Sequence, residues 1–120
     1  MNNTLIAVYG TLRKGYGNSV YLRDSKFIGS GWTKNKYKMT ANGIPFVKKS
    51  EPVSKIRVEV YEVTPENLPH IDSLEGHPNW YYREPISIDL DDGDNIEASI
   101  YFNNQEGNYL IESGDYKTYR

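Results

Sequence analysis

A short apolar strand that ends in a glycine loop is the feature that most constrains this chain. Residues 5–8 (LIAV) form an unbroken apolar run, which favours a strand buried on both faces. Tyr9-Gly10-Thr11 then breaks the run with a glycine, which lets a backbone turn tightly or approach a ligand closely. Such a turn can aim several backbone N–H groups at an anion such as a carboxylate. An ordinary structural turn fits the same pattern, and the loop alone does not separate the two readings.

Length and charge limit the classes of function. With 120 residues, the chain is expected to form one domain, spanning residues 1–120, with a single pocket. A net charge of -2 gives no basic surface, so nucleic acid is not an expected partner. The longest apolar runs are four or five residues, so we expect neither a membrane span nor a signal peptide, and a cytoplasmic protein.

The nucleophile and metal inventory is small. The absence of cysteine removes disulfides, thiol nucleophiles and thiolate metal sites. His70 and His77 have no recognised ligand spacing, so no metal site is expected. No histidine lies at a position that would pair it with a serine in a recognisable pattern, which disfavours a serine-hydrolase triad. The glycines of the first loop lack the Gly-Lys-Ser/Thr ending of a phosphate loop.

Alternation and turn signals predict a chain made mostly of strands. We predict a long strand with a glycine bend over residues 26–40 and an edge segment over residues 44–47, after the Asn42-Gly43 turn. A third, well-alternating strand is predicted over residues 53–63. Residues 82–90 and 96–102 are predicted to form a hairpin around an acidic turn. The tail, residues 109–120, is predicted to be irregular chain packed by tyrosines.

One principal helix is predicted between the third strand and the hairpin. Thr64 is the expected cap, with Pro65 at the first helical position. Pro69 is tolerated only within a first turn, so the regular helix should begin near Asn67 or Leu68. The apolar stripe of this helix consists of Leu68, Ile71 and Leu74, and the residues expected to end the helix are Gly76 and Pro78. A shorter helical turn is expected over residues 18–22, capped by Asn18 or Ser19. Many strands with one principal helix indicate an α+β protein built on a small mixed barrel.

Glu75 is the ionisable residue of most interest. It ends the predicted helix, where a carboxylate faces the negative end of the helix dipole. Partial burial there would raise its pKa and make it a candidate general base. The alternative is a solvated loop glutamate. Asp72, three residues earlier, could share the same helical side as Glu75 or bond only backbone and solvent.

Aromatic residues and one arginine complete the set of candidates. Tyrosine and tryptophan side chains that could line a pocket, or simply pack, are Tyr9, Trp80, Tyr81, Tyr82 and Tyr101. Arg83 could bind a substrate carboxylate or form an ion pair with Glu75 or Glu97.

Together these motifs resemble the γ-glutamylcyclotransferase-like family, which includes γ-glutamylamine cyclotransferases and AIG2-like proteins. The resemblance covers nearly the whole chain, in order. The matching segments are Tyr9-Gly10-Thr11-Leu12, Ile71-Asp72-Ser73-Leu74-Glu75-Gly76, Tyr81-Tyr82-Arg83, Ala98-Ser99-Ile100-Tyr101 and Ser113-Gly114-Asp115-Tyr116. Two features depart from the family pattern. Tyr116 stands where tryptophan is common, and residues 41–52 have no distinctive counterpart, which leaves the leaving-group side of the pocket unassigned.

The resemblance implies a small mixed β-barrel with flanking short helices and a cavity between the first loop and Glu75. It implies an enzyme that cyclises a γ-glutamyl substrate to 5-oxoproline and releases a free amine or amino acid, without a cofactor. Glu75 would be the catalytic acid/base. The expected substrate contacts are Tyr9, Gly10, Thr11, Leu12, Tyr81, Arg83 and Tyr101. The alternatives are a carboxylate-binding module of the same fold without turnover, and an interaction protein that uses a tyrosine-rich surface.

Overall fold

The computed structural model describes residues 2–119. Within these residues, five strands precede a single α-helix and three strands follow it. They are β1 (Thr4–Val8), β2 (Lys26–Thr33), β3 (Lys38–Asn42), β4 (Ile44–Lys48), β5 (Arg57–Val63), α1 (Leu68–Glu75), β6 (Tyr82–Leu90), β7 (Asn95–Phe102) and β8 (Tyr109–Leu110). Two 3₁₀ helices, Gly17–Leu22 and Tyr116–Thr118, follow β1 and β8 respectively.

Five strands close into a barrel in the order β1-β5-β2-β6-β7. The first and last of them pair in parallel, with Ile6 opposite Ser99 and Ala7 opposite Ile100, whereas the other four pairings are antiparallel. The barrel is therefore mixed, and the predicted α+β fold with a small mixed barrel and short helices is confirmed.

The predicted long strand over residues 26–40 is wrong, because the chain leaves the barrel between β2 and β3. The Thr33 hydroxyl donates to the Asn35 carbonyl at 2.7 Å, and the Tyr37 amide donates to the Ser54 carbonyl at 2.8 Å. These bonds turn the chain, so that β3 belongs to a separate sheet of order β4-β3-β8. The predicted bend is present within β2, where the register with β5 shifts between Phe27 and Gly29.

The other predicted strands are confirmed with one shortened boundary. The edge segment is β4, at one side of the small sheet, and the hairpin is β6 and β7. The third predicted strand begins at Arg57 and not at residue 53. The tail contains a two-residue strand, and its tyrosines pack as predicted, with the Tyr116 and Tyr119 rings 5.7 Å apart.

The helix α1 begins at Leu68, as predicted, and ends at Glu75. Gly76 follows as its C-cap in the left-handed conformation, with φ 68°. The predicted helix cap Thr64 and first helical residue Pro65 are wrong, because Asn67 occupies the N-cap position. Thr64 instead caps the preceding turn, where its hydroxyl accepts from the Asn67 amide at 3.2 Å. The predicted cap of the first 3₁₀ helix is wrong, because Tyr16 occupies that position without a side-chain bond. Asn18 instead donates from its side chain to the Thr11 hydroxyl at 2.9 Å.

Two apolar clusters organise the molecule, and the second one places the candidate site. The first includes Val58, Ile88 and Phe102. The second joins Ile6 and Val8 of β1 to Ile71 of α1, so the helix is held against the end of the barrel where β1 runs into its glycine loop. No helix within residues 2–119 is long and apolar enough to cross a membrane.

Candidate active site

A cavity of about 200 Å³ lies between the loop after β1, the start of β4 and the C-terminal end of α1. Pockets for drug-sized ligands usually occupy about 300–1,000 Å³, so this one suits a molecule near the size of an amino acid. Six of the seven predicted substrate contacts line it, together with Glu75: Tyr9, Gly10, Thr11, Leu12, Tyr81 and Tyr101. Ile44, Pro45, Leu74 and Trp80 add an apolar side to the cavity.

Glu75 is the last residue of α1 and the only carboxylate among the described residues that line the cavity. Burial, which contributes most, and the negative charge of Asp72 together raise its pKa from 4.5 to about 7. Lysine and arginine are absent from the described lining, so no cation of the wall opposes this rise. Glu75 therefore exchanges a proton near neutral pH, as a general acid/base requires.

Arg83 is the one predicted substrate contact that the structure does not bring into the cavity. Its guanidinium forms a bidentate pair with Asp72, Nε to Oδ1 at 2.8 Å and Nη2 to Oδ2 at 2.9 Å. The ion pair anticipated from the sequence exists, but with Asp72 and not with Glu75 or Glu97. Burial would raise the pKa of Asp72, but hydrogen bonds from Arg83 and Tyr101 outweigh it and lower the pKa.

Three tyrosines form the buried wall, and each hydroxyl has a fixed acceptor. Tyr9 donates to the Tyr101 carbonyl at 2.6 Å, Tyr81 to the Pro45 carbonyl at 2.7 Å, and Tyr101 to Asp72 Oδ1 at 2.6 Å. Burial is the main reason why the pKa of each phenol is raised, so all three are neutral at physiological pH. Tyr82, which was a candidate wall residue, instead packs on Phe102 with ring centroids 5.9 Å apart.

The glycine loop forms one side of the cavity and contains amides without a protein acceptor. Thr11 and Leu12 both line it, and within residues 2–119 neither amide donates to another protein group. The loop is closed on its far side, where the Asn18 amide donates to the Thr11 carbonyl at 3.1 Å and the Arg13 amide to the Gly10 carbonyl at 3.0 Å. Unoccupied N–H groups in a fixed turn are the donors that a carboxylate needs.

A buried charge network behind the loop was not found from the sequence. Arg13 Nη1 donates to Asp115 Oδ1 at 2.8 Å and its Nε to Glu59 Oε2 at 3.1 Å. Glu59 Oε1 accepts from the Lys14 amide at 2.9 Å and from the Tyr61 hydroxyl at 3.1 Å. The sequence carried no signal for it, because Glu59 takes the same face of the alternating strand as Lys55 and Arg57, where a solvent-facing charge is expected. The network fixes the loop against β5 and the tail.

No group of three or more histidine, cysteine, aspartate or glutamate side chains within the described part of the chain is placed to hold a metal ion. The polar side chains of the described lining are those of Glu75, Thr11, Asn18, Trp80 and three tyrosines.

The sequence model of the family described as "Gamma-glutamyl cyclotransferase, AIG2-like" matches residues 6–118. The chain belongs to this γ-glutamyl cyclotransferase, AIG2-like family. The match includes the glycine loop, α1 and both strands of the hairpin, so every residue of the candidate site described above lies within it.

Proteins similar in sequence to this chain have names that refer to γ-glutamyl cyclotransferases. A Methanocaldococcus jannaschii protein, provisionally named a γ-glutamylcyclotransferase, is 53% identical over 116 residues, which cover 96% of this chain and 97% of that protein. The Danio rerio γ-glutamylaminecyclotransferase C is 31% identical over 115 residues, covering 84% of this chain and 76% of that one. The crystal structure of a Mus musculus AIG2-like protein matches with a TM-score of 0.82 and 25% identity, covering 96% and 90%. These comparisons support a γ-glutamylcyclotransferase-like function.

Proposed function

We propose that this protein is a cofactor-independent γ-glutamyl cyclotransferase, which releases 5-oxoproline and a free amine or amino acid from a γ-glutamyl substrate. The observation that carries the proposal is the composition of one small cavity. It combines the free amides of Thr11 and Leu12 with the carboxyl of Glu75, whose pKa lies at about 7.

The two ends of this cavity serve different parts of the substrate. The loop amides receive the α-carboxylate of the γ-glutamyl group, because amides without a protein acceptor in a fixed turn can bind an anion. Ionised Glu75 then takes one proton from the α-ammonium group. The resulting amine attacks the γ-carbonyl carbon, and a C–N bond closes the five-membered ring.

Collapse of the tetrahedral intermediate breaks the bond to the leaving nitrogen. Glu75 returns its proton to that nitrogen, and the ring nitrogen loses its second proton as the new amide forms, so the amine departs as an ammonium ion. Nucleophile and electrophile belong to one molecule, so correct positioning alone can contribute about 7–11 kcal/mol to lowering the barrier. The three phenols keep their hydrogens on protein acceptors, which leaves Glu75 as the group suited to proton transfer.

The leaving group extends toward the mouth of the cavity. Trp80 is 46% exposed there, and its indole N–H is held by the Gln105 side chain at 3.1 Å. Its ring packs edge-on against Tyr81 at 5.0 Å. A fixed, half-exposed indole offers a flat apolar surface to whichever amine the substrate carries.

The test is 5-oxoproline release by the purified protein from a panel of γ-glutamyl dipeptides and γ-glutamyl amines. Glu75→Gln should lower kcat at least about 100-fold, the usual contribution of general acid/base catalysis. Glu66→Gln, at an exposed glutamate outside the cavity, is the matched control and should retain full activity. Absence of release from every compound by folded wild-type protein would contradict the proposal. Ligand-induced stabilisation without release would instead indicate a carboxylate-binding module.

A further inference from the structure

Asp72 and Arg83 form an ion pair next to the catalytic cavity but outside its described lining. Both guanidinium contacts to Asp72 are shorter than 3 Å, and both side chains are largely buried, with 17% of the Asp72 side chain and 25% of the Arg83 side chain exposed. Such a pair is less screened by solvent than one on the open surface. Its charges therefore act on neighbouring groups.

Glu75 is a neighbour of this pair through the helix. Asp72 and Glu75 are three residues apart on α1, and side chains at this spacing lie on the same side of a helix, with Cβ atoms about 5–6 Å apart. Asp72 also reaches the cavity wall, because its Oδ1 accepts both from Arg83 and from the Tyr101 hydroxyl. The pair is thus joined to the catalytic carboxyl by the helix and to the substrate space by Tyr101.

The remaining groups around Glu75 carry no fixed charge. The loop and β1 contribute Tyr9, the segment after α1 contributes Tyr81, and β7 contributes Tyr101. All three are neutral phenols. His77 lies behind Tyr101, with ring centroids 6.4 Å apart, and its Nδ1 accepts from the Arg83 amide at 3.2 Å. Asp72 is therefore the anion that acts on Glu75, and Arg83 is the cation paired with it.

We propose that Asp72 and Arg83 are positioning residues for Glu75, and that the balance of their two charges sets the pH at which Glu75 exchanges its proton during catalysis. The inference rests on the proposed function for its catalytic meaning. Asp72 holds the proton on Glu75 through its negative charge, and Arg83 limits this effect by neutralising Asp72. Arg83 also keeps the Asp72 carboxylate in place to receive the Tyr101 hydroxyl.

Removing either charge has opposite effects on Glu75, which distinguishes this role from a structural one. Asp72→Asn keeps an oxygen acceptor for Tyr101 and removes the anion, so the titration midpoint of Glu75 should fall. Arg83→Gln leaves Asp72 without its counter-ion, so the midpoint should rise. We expect shifts of up to about one pH unit, as is typical of a charge a few ångströms away. A merely structural disturbance would let water reach Glu75 in both variants and lower both midpoints.

The experiment follows the Glu75 carboxyl carbon by NMR during a pH titration of the full-length protein, which requires no activity. In parallel, the acid limb of kcat/KM for 5-oxoproline release is measured for each variant. Arg83→Lys retains the cation and should keep a midpoint near that of the wild type. Arg83→Met, which also removes the cation, replaces Arg83→Gln if that variant does not fold. Arg57→Gln is the control, because Arg57 forms an equally short bidentate pair with Asp91, at 2.7 Å for both contacts, away from the cavity.

We expect the NMR midpoint of Glu75 to fall in Asp72→Asn and to rise in Arg83→Gln, and the acid limb of kcat/KM to shift in the same direction as the midpoint in each variant. Shifts in the same direction, or no shift, would overturn the inference even if 5-oxoproline is released. If the midpoints move in opposite directions but no compound is cyclised, the electrostatic role of the pair stands and the proposed function fails.

Discussion

Arg13 and Glu59 form a buried ion pair directly behind the loop that presents the free amides. The distance from Arg13 Nε to Glu59 Oε2 is 3.1 Å, and the two side chains are 4% and 7% exposed. Each charge has further partners, namely Asp115 for Arg13 and the Lys14 amide for Glu59. The loop is therefore fixed by charges whose removal leaves a buried partner unpaired.

Arg13→Met should lower the free energy of unfolding by about 3–5 kcal/mol, because Glu59 then remains buried without its cation. Urea denaturation at pH 7 measures this change. Arg57→Met is the matched control, since the partner carboxylate of Arg57, on Asp91, is 54% exposed and exposed pairs contribute about 0–1 kcal/mol. Equal losses in the two variants would show that the Arg13 pair has no special role in stability.

Gly10→Ala should weaken substrate binding, whereas the same substitution at the nearby Gly17 should not. A Cβ at Gly10 would lie 2.7 Å from Cγ of Pro45, whereas a Cβ at Gly17 meets nothing within 4 Å. The added methyl must push the loop away from β4 and displace the Thr11 and Leu12 amides. We expect KM for a γ-glutamyl substrate to rise at least about tenfold, equivalent to about 1.4 kcal/mol. Gly17→Ala should leave KM unchanged, and a similar rise in both variants would contradict the prediction.

Glu75→Gln should stabilise the fold at alkaline pH and have little effect at acidic pH. The pKa of Glu75 is about 7 in the folded protein against 4.5 ordinarily, so between these values the folded state binds more protons than the unfolded state. The free energy of unfolding of the wild type therefore falls as pH rises through this window. At pH 8 the variant should be more stable by up to about 3 kcal/mol, from about 1.4 kcal/mol per pKa unit.

Urea denaturation of wild type and Glu75→Gln at pH 4 and pH 8 measures this difference. Asp91→Asn, at an exposed carboxylate whose pKa is lowered by Arg57, should show no such gain in stability at pH 8. A stability difference that is the same at both pH values would show that Glu75 is not held protonated by burial.

The local parts of the site were predictable from the sequence because they depend on neighbouring residues. An apolar strand followed by Tyr9-Gly10-Thr11 locates the loop. The apolar stripe of the helix, followed by the stop signal Gly76, locates Glu75 at the end of that helix. Both were found from pattern and both line one cavity. Their meeting in space was implied by the family resemblance and not by periodicity.

The partners of the charged residues were not predictable, because they come from distant segments. Asp72 meets Arg83 only because β6 passes beside α1, and Arg13 meets Asp115 across 102 residues of sequence. The break of the strand predicted over residues 26–40 has the same origin. It depends on Thr33 and Tyr37 bonding to the chain around residues 54–56, which no local pattern records.

The parallel pairing of β1 with β7 determines when the site can exist during synthesis of the chain. The Tyr9 hydroxyl of the glycine loop donates to the Tyr101 carbonyl, which is synthesised 92 residues later. Contacts so distant in sequence form slowly, typically in milliseconds to seconds. A nascent chain that ends before β7 has neither a closed barrel nor a site, so the protein acquires its stable fold and its chemistry in the same step.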